Sequence, residues 1–124
     1  RPERWRSIVQ EAVEQCERLW APQLTGLCAA ADWWAKPDQN DLRLIAVTRA
    51  AGTPRLTELL AAQPSKDRSI WLSIGPEGGW SDRELAAAQA AGWLFVSLGD
   101  TILRSSTAAV AGASCLTTWR MLRC

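Results

Sequence analysis

One strand-loop-helix segment in the middle of the chain constrains the fold more than any other feature. An apolar run at residues 70–74 leads into a glycine-rich loop at residues 75–79. Ser81 and Glu84 follow with the spacing of a helix-capping box, and Gly92 is a natural end for the helix that they begin. A buried strand that leads through a tight loop into a capped helix is typical of proteins with a parallel β-sheet.

The same order of elements recurs on both sides of that segment. Residues 43–48 and 93–98 are short apolar runs, as buried strands are. Between the first two predicted strands, Thr53 can cap a helix, Pro54 can occupy its first position, and the helix should reach about Gln63. We therefore predict an α/β fold with a parallel sheet flanked by helices on both faces. In such sheets ligands bind beyond the carboxyl ends of the strands.

Helical patterns also occupy both ends of the chain. Apolar residues recur at three- and four-residue steps over residues 3–20, which predicts an amphipathic helix, and Pro22 ends it. Ser105, Ser106 or Thr107 can cap a last helix. The apolar residues of this last helix are Val110, Ala113, Leu116 and Met121.

The stretch that follows the first helix has a weaker pattern. Leu24 and Leu27 could start a short strand, and residues 30–36 could form a short helix. Residues 37–40 have the composition of a loop. This stretch should connect the first helix to the first strand.

Composition limits the size, the charge and the chemistry of the protein. The chain has 124 residues, 48% of them hydrophobic, which suits one compact domain, and its formal net charge of +1 gives no global attraction to a polyanion. It contains no histidine, and its four cysteines show no Cys-x-x-Cys spacing, so we expect neither a metal site nor a histidine-dependent nucleophile. No segment is long and apolar enough to cross a bilayer, so we expect a cytoplasmic protein.

Two glycine loops follow the second and third predicted strands. In the first, Gly75, Gly78 and Gly79 let the backbone approach a ligand closely, although a tight turn alone would need glycine. This loop lacks the lysine of a P-loop and the spacing of a dinucleotide-binding fold, which disfavours a nucleotide-binding enzyme of the doubly wound type. In the second loop, Arg104 either pairs with a carboxylate such as Asp100 or stabilises negative charge on a substrate.

Together, the two loops resemble a known pair of motifs. Residues 74–84 read Ile-Gly-Pro-Glu-Gly-Gly-Trp-Ser-Asp-Arg-Glu, and residues 97–108 read Ser-Leu-Gly-Asp-Thr-Ile-Leu-Arg-Ser-Ser-Thr-Ala. The pair resembles the signature of the RsmE family, the ribosomal RNA small-subunit methyltransferases that modify N3 of a uridine and belong to the SPOUT superfamily. The helix pattern over residues 4–18 is similar to that family as well, so the resemblance spans nearly the whole chain.

The resemblance implies a SPOUT-type fold with a trefoil knot near the carboxyl end. It also implies that main-chain groups of the two loops bind S-adenosylmethionine (SAM) in a bent shape, with residues near Thr48 as a third wall. Arg104 would be the catalytic residue, since its guanidinium could stabilise the anionic uracil. Carried over position by position, the cofactor-binding residues are Ile74, Gly75, Pro76, Glu77, Gly78, Gly79, Leu98, Gly99, Ile102 and Leu103.

The resemblance further implies a homodimer that acts on small-subunit ribosomal RNA. Candidate RNA contacts are Arg4, Gln15 and Arg18 in the first helix. Trp5, Trp20 and Trp119 lie on the terminal helices and could either fill the core or form the shared dimer surface.

Two features depart from the family's pattern. Ser106 stands where the family usually has a glutamate, which could lower turnover if that carboxylate orients Arg104 or helps to remove the uracil proton. Residues 1–124 would also be a partial catalytic domain, without the family's N-terminal RNA-binding barrel and without the first strand and helix of the catalytic domain. An alternative function is therefore an RNA-binding protein that keeps the SAM pocket but has weakened catalysis.

Overall fold

The computed structural model describes residues 2–15, 23–48, 52–76, 78–99 and 104–122. Its helices are α1 (Pro2–Gln15), α2 (Ala30–Trp34), α3 (Leu56–Ala61), α4 (Asp82–Ala90) and α5 (Ser105–Met121), and its strands are β1 (Leu42–Ala46), β2 (Ile70–Ser73) and β3 (Leu94–Val96). Among the helices described, none has the length and hydropathy that a transmembrane segment requires.

The three described strands form one parallel sheet in the order β2-β1-β3. Leu44 of the central strand pairs with Leu72 on one side and with Leu94 on the other. Because the strands are parallel, α3 crosses from β1 to β2 and α4 crosses from β2 to β3. The predicted α/β architecture with a helix-covered parallel sheet is confirmed.

Alternation along β1 creates two separate hydrophobic clusters. Leu42 and Leu44 point to one face, where they pack with Leu56 and Leu60 of α3 and with Val96. All five side chains in this cluster are at least 97% buried, and burial of each leucine stabilises the fold by about 2 kcal/mol. The contacts of α3 with α5 complete this layer of the protein.

The opposite face of the sheet holds a cluster of tryptophans beneath α2 and α4. The rings of Trp34 and Trp93 meet edge to face with centroids 5.0 Å apart, and Trp93 Nε1 donates to the carbonyl oxygen of Trp34 at 3.0 Å. Trp33 Nε1 donates to Ser73 Oγ at 2.8 Å, which satisfies a buried hydroxyl on β2. The indoles of Trp33 and Trp93 therefore bury large apolar surface without leaving their N–H groups unpaired.

Small residues allow α5 to lie directly on the sheet. A Cβ atom at Gly112 would lie 2.5 Å from Leu72 Cδ2, so only glycine fits at this crossing without movement of the leucine. Farther along, Leu116 and Trp119 pack against the leucine cluster. Trp119 is thus half-buried against this cluster, whereas Val110 is 66% exposed.

Several predicted boundaries are confirmed with small shifts. The short helix predicted at residues 30–36 is α2, and the capping box at Ser81 and Glu84 is present, with reciprocal bonds of 2.9 and 3.1 Å. The first predicted helix is observed as α1, and residues 16–20 of that prediction lie outside the described residues.

The strand predicted at Leu24 and Leu27 is wrong. Residues 23–29 form no strand, and Leu27 is 86% exposed. Two leucines three residues apart do not alternate as strand residues must, and no described strand pairs with them.

Two predicted helix caps are also wrong. The N-cap of α3 is Arg55 rather than Thr53, because Pro54 and Leu56 hydrogen-bond with Ser97 and hold the chain extended up to that point. The N-cap of α5 is Arg104, which makes no side-chain capping bond. At the start of α3, long-range pairing has therefore overridden the local capping signal.

Candidate functional site

Three loops meet at the carboxyl edge of the sheet. Their described residues are 47–48 and 52–55 after β1, 74–76 and 78–81 after β2, and 97–99 and 104 after β3. Since all three strands point the same way, all three loops leave the sheet at one edge, where open α/β sheets bind ligands.

A tryptophan hydrogen-bonds the loop after β2 to the end of β1. Trp80 Nε1 donates to the carbonyl oxygen of Ala46 at 3.0 Å. The same ring lies against Gly75, where an added Cβ atom would be 2.9 Å from Trp80 Cε2. Gly79 N donates to Pro76 O at 2.8 Å and Gly79 has φ = +82°, so the loop turns tightly in a conformation that favours glycine.

The loop after β1 is fastened to the end of β3. Ser97 N donates to Pro54 O at 2.9 Å, and Leu56 N donates to Ser97 O at 2.8 Å. Val47 N likewise donates to Val96 O at 2.9 Å, so pairing continues beyond the assigned strands. These bonds bring Thr48, which is exposed, to the same edge as the two glycine loops.

The hydroxyl of a serine connects the two glycine-loop regions. Ser105 Oγ, at the start of α5, donates to Gly75 O at 2.9 Å. Arg104 immediately precedes this serine and is exposed. The structure therefore places the candidate catalytic arginine beside the glycine-rich loop that follows β2.

Parts of both loops offer open main chain. Among the described residues, apart from the adjacent ones in the chain, no heavy atom lies within 4 Å of the position that a Cβ would take at Gly78, Gly79 or Gly99. Gly99 has φ = +149° and exchanges hydrogen bonds with Ser97 Oγ, so its backbone is held in place. Main-chain N–H and C=O groups at these positions can approach a ligand without hindrance from side chains.

Most of the predicted site residues fall at this edge. The described members of the predicted cofactor site are Ile74, Gly75, Pro76, Gly78, Gly79, Leu98 and Gly99. Glu77, Ile102 and Leu103 lie outside the described residues. Binding of a cofactor by these residues stays a prediction.

The predicted RNA contacts belong to the first helix. Arg4 is exposed on α1, Gln15 is the last residue of α1, and Arg18 lies outside the described residues. Within the residues that the structure covers, no group of three or more His, Cys, Asp or Glu side chains could hold a metal ion. RNA binding by these residues also stays a prediction.

Sequence reasoning missed the residues that hold the loops together. Trp80, Ser97 and Ser105 all make contacts between segments that are distant in the chain. The aromatic residue directly after two glycines was the available signal for Trp80, because a large ring beside glycines can pack on bare backbone. No local signal marks Ser105, since a serine at a helix start is ordinarily interpreted as a cap.

Comparison with known proteins identifies the family. The profile of an RNA methyltransferase domain matches residues 1–117. The chain belongs to this RNA methyltransferase domain family. Two curated relatives, both called ribosomal RNA small subunit methyltransferase E, are 42% identical over 107 residues in Synechocystis and 35% identical over 108 residues in Mycobacterium bovis. Each alignment covers 86% of this chain but only 35% and 40% of the relative.

Solved structures of this family share the fold. A ribosomal RNA small subunit methyltransferase E from Neisseria gonorrhoeae, bound to SAM, superposes with a TM-score of 0.79 at 30% identity over 94% of this chain and 47% of the other. A Legionella pneumophila protein in complex with SAM gives a TM-score of 0.80 at 31% identity over 94% of this chain and 45% of the other. This member of the family thus spans less than half the length of each of these four proteins.

Proposed function

We propose that this chain carries the SAM-binding and catalytic part of a methyltransferase that modifies N3 of a uridine in small-subunit ribosomal RNA. The observation that carries the proposal is the meeting of three loops at the carboxyl edge, joined by the bonds of Trp80 to Ala46 and of Ser105 to Gly75. The names of the relatives and the SAM in two structural neighbours support it. A ribosomal RNA substrate would place the reaction in the cytoplasm.

The donor groups at this edge fit SAM. An adenine ring is recognised through hydrogen bonds at its edges, and open backbone at Gly78, Gly79 and Gly99 can supply them. Ile74 and Leu98, both half-buried at the same edge, offer apolar surface. When bound, SAM supplies an electrophilic methyl group. The described residues that would hold it are Ile74, Gly75, Pro76, Gly78, Gly79, Leu98 and Gly99.

Arg104 is the residue that we assign to the substrate base. Uracil must lose its N3 proton before or during the reaction, and the chain has no histidine to accept it. Water or a carboxylate is then the proton acceptor, and the Arg104 guanidinium stabilises the resulting negative charge. Such fixed charge contributes on the order of 3 kcal/mol to other enzymes, which corresponds to roughly a hundredfold in rate.

Separate measurements of binding and methyl transfer test this function. We expect Arg104→Ala to lower the rate of methyl transfer to small-subunit ribosomal RNA about a hundredfold, while calorimetry shows SAM affinity within about twofold of the wild type. Arg83→Ala, an exposed change on α4, is the matched control and should change neither. Full activity of Arg104→Ala would refute the assignment, and SAM binding by the wild type without methyl transfer would favour the weakened RNA-binding alternative.

We also propose that the carboxyl-terminal part of the chain is knotted. β3 lies at one edge of the described sheet and β2 at the other, yet Ser105 just after the β3 loop contacts Gly75 just after β2. This contact between the two ends of the sheet order supports a trefoil path for the chain. A crystal structure whose backbone pulls straight when its ends are drawn apart would contradict the knot.

A homodimer is the proposed assembly. The only charged residue of α5 is Arg120, and its outer face is exposed and uncharged at Ala109, Val110, Ala113, Ser114 and Thr117. An exposed helix face with so little charge is typical of an interface. Sedimentation should give a dimeric mass for the wild type and a monomeric mass for Val110→Glu; a monomeric wild type would refute the dimer.

A further inference from the structure

Ser105 lies where a helix-capping serine is expected, but its hydroxyl bonds to Gly75 in the loop after β2. Helix-starting serines usually accept a hydrogen bond from a backbone amide of their own helix. Here the N-cap is Arg104, without a side-chain cap, and Ser105 is the first helical residue. Its hydroxyl donates to Gly75 O at 2.9 Å in a half-buried position. The bond thus links two segments thirty residues apart in the chain.

Gly75, the acceptor residue, is itself held firmly. It lies two residues after the end of β2, and the Trp80 ring packs so closely on it that a Cβ atom would lie 2.9 Å from Trp80 Cε2. Trp80 is bonded in turn to Ala46 at the end of β1. A continuous set of contacts therefore runs from the central strand through Trp80 and Gly75 to Ser105.

Arg104 directly precedes Ser105, the last residue in this series of contacts. Its side chain is exposed, while its carbonyl oxygen accepts from Ala108 N at 2.8 Å in the first turn of α5. The position of the arginine therefore depends on how the first turn of α5 sits relative to the glycine-rich loop. Among the bonds described, that of Ser105 to Gly75 fixes this relation directly.

We propose that Ser105 is a positioning residue that couples occupation of the glycine-rich loop to the placement of Arg104. The inference rests on the proposed function, since it takes the loop as the SAM site and Arg104 as the group that meets the base. A ligand that restricts the backbone motion of residues 74–79 also restricts the motion of Gly75 O. The hydrogen bond from the Ser105 hydroxyl extends this restriction to the first turn of α5. By reciprocity, a base held by Arg104 raises the affinity of the loop for SAM.

Hydrogen exchange with SAM as the ligand tests the coupling. In the wild type, SAM should slow amide exchange both in residues 74–79 and in the first turn of α5. In Ser105→Ala the loop should still be protected, but the first turn of α5 should lose its response. Ser105→Thr, which keeps the hydroxyl, should restore the response, and Thr118→Ala, exposed on the same helix, should behave as the wild type.

Two outcomes overturn the coupling. One is equal protection of the first turn of α5 in Ser105→Ala and in the wild type, and the other is no response of that turn in the wild type. If Ser105→Ala does not fold, as judged by circular dichroism, Ser105→Cys keeps the volume of the side chain with a weaker donor and should show a reduced response. Absence of SAM binding by folded wild type would instead refute the proposed function, and the coupling with it.

A kinetic cycle separates positioning from a merely structural role. Loss of one neutral hydrogen bond should lower kcat of Ser105→Ala about fivefold, with a smaller change in KM for SAM. In the Arg104→Ala background the same change should have less than a twofold effect, because Ser105 acts through Arg104. Equal fivefold losses in both backgrounds would contradict the proposal.

Discussion

Gly75→Ala should destabilise the protein because the Trp80 ring occupies the space that the new methyl group needs. The Cβ atom would lie 2.9 Å from Trp80 Cε2 and 3.0 Å from Trp80 Nε1, whereas carbon atoms ordinarily pack at about 3.5–4.0 Å. The ring would have to retreat by roughly 0.6 Å or more, which would strain or break its bond to Ala46 O.

The expected magnitude follows from three opposing contributions. Overpacking against a rigid ring costs about 1–3 kcal/mol, and loss of the indole hydrogen bond costs about 1 kcal/mol. Alanine restricts the unfolded chain more than glycine does, which raises the free energy of unfolding by about 0.4–1 kcal/mol. We therefore expect the free energy of unfolding to fall by about 2 kcal/mol, equivalent to roughly 6–10 °C in Tm for a chain of this size.

Thermal unfolding followed by circular dichroism measures this effect against a matched control. Gly78→Ala places the same methyl group in open space at a residue without positive φ, so its Tm should not fall. In a Trp80→Phe background the smaller ring leaves room, and Gly75→Ala should cost at least about 0.5 kcal/mol less than alone. Equal stability of the two alanine variants, or strict additivity of Gly75→Ala and Trp80→Phe, would refute the packing argument.

Three further predictions concern the helices and the thiols. Ser81→Ala removes the capping box of α4 and should lower the free energy of unfolding by about 1 kcal/mol in urea denaturation; an unchanged midpoint would contradict the role of the cap. The first turn of α5 has no acidic residue, so Ser106→Glu should stabilise the protein by about 0.3–1 kcal/mol at low salt and Ser106→Lys should not. Burial raises the pKa of the Cys115 thiol, so at pH 8 iodoacetamide should alkylate exposed Cys28 before Cys115, and peptide mass spectrometry showing the reverse order would refute this.

Local patterns predicted the parts of the fold that local interactions determine. The capping box at Ser81 and the apolar run that became β1 were readable because each depends on neighbours within a few residues. The start of α3 could not be predicted from the sequence, because Pro54 and Leu56 are held in an extended conformation by hydrogen bonds with Ser97, which is distant in the chain. Tertiary contacts of this kind cannot be predicted from a short stretch of sequence.

The candidate site shows the same division. Glycines after two predicted parallel strands indicated that both loops lie at the carboxyl edge of the sheet, since the carboxyl ends of parallel strands lie together. The bonds of Trp80 to Ala46 and of Ser105 to Gly75 could not be predicted, because each depends on how separate loops meet in space. The position of the two glycine loops in the sheet was therefore predictable from the sequence, while the contacts that hold the loops together required the structure.

Amide chemical shifts of the isotope-labelled chain, recorded during titration with S-adenosylhomocysteine, test the central claim most directly. This demethylated product should perturb residues 74–79 and 97–99 together, with one saturable affinity for both groups. Perturbation confined to the opposite edge of the sheet, near residues 63–69, or no perturbation of a folded chain at saturating concentrations, would contradict a methyl-donor site built from these loops.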